Sequence, residues 1–235
     1  FLTSAPIPKV IGTMAVPTII SMLITSLYNI ADTFFVGHIN TQSTAAIGVV
    51  FTVMFLMQAV GFFFGHGSGN YIARELGAKR HDNARTMASL GFFCAFFAGC
   101  LVCVAGLLLL RPIASALGST PTILPYTERY MGIILCGAPF FMSSLTLNNQ
   151  LRLQGNARYA MVGIVAGALL NVVLDPLLIF TAGMGITGAA LATVIGQVVS
   201  FCILFAMTYH GGNIPIRWTD FRFSLDGLKE IFYGG

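Results

Sequence analysis

Six long, largely apolar stretches, at 10–39, 44–72, 84–110, 127–150, 159–182 and 186–209, constrain this chain more than any other feature. A helix needs about 20 apolar residues to cross the hydrocarbon of a bilayer. Dissolved in water, the same stretches would expose far more apolar surface than one core could hide. Composition agrees: only 9% of the 235 residues are charged, where soluble domains carry about 25%. The mean hydropathy is +0.84. No stretch alternates with a period of two, which argues against a transmembrane barrel. The expectation is an all-α, polytopic membrane protein built as a six-transmembrane-helix bundle. The 26 glycines suit it, because membrane helices approach one another through small residues.

The connectors carry the charge. Thr41-Gln42-Ser43, the run 111–121 and Gly183-Met184-Gly185 are read as breaks between spans. Lys9, Arg74, Lys79, Arg80, Arg85, Arg152, Arg158, Arg217, Arg222 and Lys229 fall on one side, against Arg111 and Arg129 on the other. By the positive-inside rule the crowded side is cytoplasmic, which predicts a multi-pass protein of the cell membrane with both termini of this segment inside. Residues 1–210 form the six-helix lobe. Residues 211–235 read as a cytoplasmic amphipathic linker on the membrane surface. Within it Ser224 caps a short helix carrying Leu225, Leu228, Ile231 and Phe232 on one side and Asp226, Lys229 and Glu230 on the other. Phe1 and Gly234-Gly235 look like cut ends, so a second lobe is expected as partner.

Several function classes fall away. The net charge of +4 is scattered through short connectors, without the basic stripe of a nucleic-acid-binding protein. Cys94, Cys100, Cys103, Cys136 and Cys202 lie in apolar runs and read as small buried thiols. Cys100 and Cys103 have redox spacing, but fall mid-helix. No cofactor is expected beyond a coupling ion.

Two acids carry the chemistry. Asp32 lies in the first span and Asp175 in the fifth. A charge at the centre of a bilayer costs about 2.5–3.5 kcal/mol on insertion scales, so such residues mark function. Both lie roughly 10–12 Å below the outer end of their spans at ~1.5 Å per residue, and Thr193 in the sixth span reaches the same level. Thr18, Ser21, Thr25, Tyr28 and Asp32 recur three or four residues apart, forming one polar stripe. Asn171 and Asp175 share a face, as do Thr193, Gln197 and Ser200. Stripes facing lipid would be costly, so they are expected to converge. Two close carboxylates in low dielectric cannot both stay ionised cheaply; a proton or a bound cation must balance them. Oxygens from Asp32, Asn171, Asp175 and Thr193 suit Na⁺, and proton uptake serves equally well. Interhelical hydrogen bonding alone would explain the Ser and Thr residues, but not two aspartates with no base in the spans.

Pro17 and Pro176 each remove a helical hydrogen bond and offer hinges. His66 reads as packing, with proton shuttling as the sharper alternative. Asn148 and Asn149 suit a cavity floor. Glu128-Arg129 reads as a surface pair. The many Met and Phe residues can line an adaptable pocket, although most must face lipid.

These residues resemble a known family. Ala15-Val16-Pro17 followed by Tyr28-Asn29-Ile30-Ala31-Asp32-Thr33-Phe34-Phe35-Val36-Gly37 is similar to the first helix of the multidrug and toxic compound extrusion (MATE) transporters. Ala73-Arg74-Glu75-Leu76-Gly77, Asn171-Val172-Val173-Leu174-Asp175-Pro176 and Gly188-Ala189-Ala190-Leu191-Ala192-Thr193 resemble the same family. The resemblance implies the amino-terminal lobe of a twelve-helix transporter that exports drugs or organic cations in exchange for Na⁺ or H⁺. It implies a cation site at Asp32, Asn171, Asp175 and Thr193, with Tyr28 and Asn148 in its network. Gln197 joins that supporting network through its stripe. The alternatives are a flippase for lipid-linked or polyanionic substrates, whose cavity would carry bases, an intramembrane aspartyl protease, whose Gly-x-Gly-Asp context is absent, and a structural scaffold.

Overall fold

In the computed structural model, which describes residues 4–235, helices account for nearly the whole chain. The long helices are α1 (Ile7–Gly37), α2 (Thr41–Gly77), α3 (His81–Leu108), α7 (Ala157–Pro176) and α8 (Ile186–Met207). Between them lie α4 (Leu110–Ala116), α5 (Leu124–Cys136) and α6 (Ala138–Leu153), and α9 (Leu225–Gly234) ends the chain. Five helices are long and apolar enough to cross a membrane by themselves. The bent pair α5 and α6 makes a sixth crossing if counted as one.

Local chemistry sets the boundaries. Asn40 caps α2 by accepting the Ser43 N–H at 2.7 Å. Thr41 to Ser43, read as a connector, therefore form the first turn of α2, and the connector shrinks to His38–Asn40. The connector at 111–121 contains most of α4. The fourth span, read as continuous over 127–150, breaks at Gly137 with a bend of 52°. Pro139 explains the break: it has no N–H to return to the preceding turn. Pro176 acts differently. There α7 passes into a π turn, Leu177–Thr181, closed by the Ala182 N–H on the Leu177 carbonyl at 2.8 Å. At Pro17, α1 continues without interruption.

Two apolar cores stack along the bundle. One, nearer the outer ends expected from sequence, gathers Val36, Val50, Met57, Met131, Ile134 and Ile179. The other, at the base-rich end, gathers Ile72, Leu90, Phe92, Leu147, Leu204 and Ile231. Polar side chains knit α2, α3 and α6 together: Gln150 Nε2 donates to Ser68 Oγ at 2.9 Å and to the Ala88 carbonyl at 3.2 Å. Glycine brings α7 and α8 close, since a Cβ on Gly167 would lie 2.7 Å from the Gly196 carbonyl oxygen. Large apolar side chains such as Leu27 (65% exposed) and Leu101 (70%) point outward, as lipid requires and water would penalise.

Candidate functional site

Three crossings bring polar groups to one level. Asp32 lies five residues before the end of α1, Asp175 six before the end of the π turn, and Thr193 seven after the start of α8. At ~1.5 Å per residue these are roughly 8–10 Å from the same end of the bundle. Asp32 and Asp175 are neighbours across the packed helices α1 and α7. They are almost completely buried, at 5% and 0% exposure. Neither Asp175 oxygen has a donor, nor does Asp32 Oδ1.

Asn171, one turn before Asp175, donates from Nδ2 to Thr193 Oγ1 at 3.3 Å. The Thr193 hydroxyl in turn donates to the Ala189 carbonyl at 3.0 Å. Asn171 Oδ1 and Gln197 Oε1 are buried without donors. Such orphaned oxygens are rare in folded proteins and cost free energy unless something binds them. Five unpaired oxygens from Asp32, Asn171, Asp175 and Gln197 therefore fit a hard cation or a shared proton. Among the described residues no Lys or Arg forms an ion pair with either acid.

One participant escaped the sequence. Tyr130 of α5 is 1% exposed, and its phenol lies near Thr193, on the side of α5 that feels the charge of the acids. Its only sequence signal was a hydroxyl six residues into a span, at the same depth as the acids.

Asn148 is elsewhere. Its Nδ2 donates to the Ala160 carbonyl at 3.1 Å, and its Oδ1 accepts from Arg152 at 3.0 Å. Ala160 precedes Asp175 by fifteen residues, about 22 Å along the helix. Asn148 thus ties α6 to the start of α7 and stays out of the acid network, because a bonded backbone carbonyl was within its reach. Asn149 bonds the Leu145 carbonyl of its own helix. Glu128 pairs with Arg111 at 3.4 Å rather than with its neighbour Arg129. His66 is exposed, and its Nδ1 donates to the Phe62 carbonyl at 3.1 Å.

On α1, Ser21 is buried and Asp32, Thr18, Thr25 and Tyr28 share its side of the helix. The hydroxyls are largely self-satisfied: Thr18, Ser21 and Thr25 donate to Met14, Pro17 and Ser21 carbonyls at 2.8–2.9 Å. The stripe therefore contributes shape and polarity, while only its acid is left seeking a partner.

Beside the acids opens a cavity of about 720 Å³ bounded by α1, α2, α6, α7 and α8. Tyr28, Asn171, Thr193 and Gln197 are among its polar lining, and Asp32 and Asp175 lie one turn along from Tyr28 and Asn171 on their helices. Phe51, Met54, Phe55 and Phe141 supply aromatic and thioether surface. Among the described residues, no Lys, Arg, Asp or Glu lines it.

Comparison with known proteins adds the following. A family model described as MatE matches residues 17–177. The multidrug export protein MepA of Staphylococcus aureus (strain MRSA252) is 30% identical over 236 residues, covering 99% of this chain and 52% of MepA. A solved structure described as MATE in the straight conformation superposes with a TM-score of 0.89 at 30% identity, covering 97% of this chain and 51% of that one. One described as MATE in the bent conformation gives 0.85 at 29% identity, with coverages of 97% and 51%. The chain thus spans about half the length of the curated relatives it matches.

Proposed function

The chain belongs to the MatE family, and from that premise we propose that it is one lobe of a cation-coupled secondary antiporter that exports drugs or organic cations. The second six-helix lobe is its partner, and H⁺ or Na⁺ is the coupling ion. The observation that carries this reading is the neighbouring pair Asp32 and Asp175, buried and short of donors. MepA, similar along this whole chain, is a multidrug export protein.

The mechanism follows from the shared wall. A cation or proton held at the acids draws on Asn171, Thr193 and Gln197, side chains that also bound the substrate cavity or reach into its rim. Loading the acids relieves their repulsion and frees α1 to settle against α7. Unloading them reverses that preference. Each occupant thereby changes the wall met by the other, which is the differential interaction that coupling requires. The aromatic, uncharged lining suits flat, apolar cations, which bind aromatic faces. A polyanion would find no base there, which disfavours the flippase. Both termini of this segment are assigned to the cytoplasm on the distribution of bases.

The test is export of a fluorescent organic cation from vesicles containing this lobe joined to its partner lobe, with Na⁺ and pH gradients imposed separately. One gradient should drive export by the wild type. Asp32→Asn and Asp175→Asn should each lower gradient-driven export by about a hundredfold or more, the equivalent of the ~3 kcal/mol lost when a buried charged partner is removed. Export at wild-type rates by both variants would end the proposal.

A further inference from the structure

A second cavity, of about 940 Å³, opens at the base-rich end of the bundle, away from the acids. Lys9 at the start of α1, Lys79 in the α2–α3 turn and Arg158 in the first turn of α7 border it. Among the described residues none of the three is in an ion pair, and no Asp or Glu lines the space. Their neighbours behave differently. Arg74 pairs with Glu230 at 2.9 Å and Arg80 with Glu75 at 3.5 Å. Arg74 and Arg80, which do not line the cavity, are thus neutralised, while the three bases that border it carry no carboxylate partner.

The backbone at Lys79 is a second, independent observation. Its φ is +60°, the left-handed region, and it is the one non-glycine residue with positive φ among the described residues. The Arg80 N–H returns to the Glu75 carbonyl at 2.8 Å and the Lys79 N–H to that of Leu76 at 3.0 Å. This is the helix-terminating arrangement in which glycine is the usual residue at that position. A lysine there holds a side chain on the cavity at the expense of backbone ease. Leu76, Val162 and Met207 complete an apolar wall beside the bases.

We infer that this cavity binds a phosphate group, carried by an anionic lipid headgroup or free in solution. Three uncompensated cations from three chain segments supply charge-assisted donors for phosphate oxygens. The apolar wall accepts glycerol and the first acyl carbons, and basic pockets between transmembrane helices take such headgroups. The inference stands apart from the transport reading, since it uses none of the residues at the acid pair.

The experiment uses the purified chain in an uncharged detergent. Thermal unfolding and native mass spectrometry are followed against added phosphatidylglycerol, phosphatidylcholine and inorganic phosphate. Phosphatidylglycerol should raise the unfolding temperature and remain bound where phosphatidylcholine does not. Lys79→Gly is the informative variant, because it relaxes the backbone and so folds at least as well while removing one base. It should weaken phosphatidylglycerol binding about fivefold, and adding Arg158→Gln should weaken it about fivefold again, as expected for losing one interfacial base each time. Arg217→Gln with Arg222→Gln, which lie off the cavity, should leave binding unchanged. Protection by phosphatidylglycerol alone assigns a lipid, and protection by inorganic phosphate as well assigns the phosphate itself; both uphold the site. It is overturned if neither ligand outperforms phosphatidylcholine, or if the control pair weakens binding as much as Lys79→Gly.

Discussion

Tyr130 stands near the acid network from α5, a helix that contributes no carboxylate to it. Its ring is packed into the outer core while its hydroxyl meets the polar group, as buried tyrosines generally require. Tyr130→Phe keeps the ring and removes one hydrogen-bonding group. A lost hydrogen bond of this kind is worth about 0.5–1.5 kcal/mol, so cation-dependent stabilisation of the purified chain should fall by roughly threefold to tenfold. An unchanged response would remove Tyr130 from the site and leave it as core. The difference in legibility between these residues is physical. Asp32, Asn171, Asp175 and Thr193 stood out because a polar group inside a bilayer is expensive and rare. Tyrosine inside a span carries no such signal, since its ring is at home in apolar surroundings. Asn148 was expected in the network from the family resemblance and its polarity, whereas Asn171 shares a face with Asp175. The distinction lay in what surrounds each amide, a backbone carbonyl of α7 for one and Thr193 for the other, and linear spacing does not encode that.

At the scale of elements, prolines do three different things. Pro139 breaks a crossing into α5 and α6, Pro176 turns α7 into a π turn, and Pro17 leaves α1 unbroken. The number and order of spans were legible from hydropathy, because lipid imposes a minimum length. The break at Gly137 was not, since hydropathy averages across it, and α4 hid in a connector of mixed polarity. Pro17 is where a bend of α1 can form with no further loss of hydrogen bonds, because its own N–H is already absent. It lies fifteen residues from Asp32 on the same helix. Pro17→Ala should restore a backbone hydrogen bond, leave expression and folding intact, and slow gradient-driven export severalfold. Turnover equal to the wild type would take the hinge out of the mechanism.

Across the whole molecule, residues 211–235 are packed rather than free. Trp218 stacks on Phe221, both rings meet Phe93 of α3, and the Ser89 hydroxyl donates to the Arg217 carbonyl at 3.1 Å. Ser224 caps α9 as its sequence suggested, accepting the Gly227 N–H at 2.9 Å. Ile231 is then fully buried against Gly67 of α2, while Leu225, Phe232 and Tyr233 remain outward. The amphipathic pattern announced a helix but not its partner, because Gly67 advertises nothing until another backbone touches it. A Cβ at Gly67 would run into the Ile231 carbonyl. Gly67→Ala should therefore lift α9, lower stability by about 1–3 kcal/mol, and speed proteolysis within 211–224. Cleavage at the wild-type rate would show that α9 contributes little to the fold. The acid pair has the widest reach of any feature described. With its oxygens unsatisfied and its partition shared with the cavity, the lobe carrying neither passenger is its least comfortable form. On the proposed reading, an exchanger built on this lobe would resist idling: the return stroke would be hard to make empty-handed, so slippage of the gradient would be held down by electrostatics rather than by a separate lock.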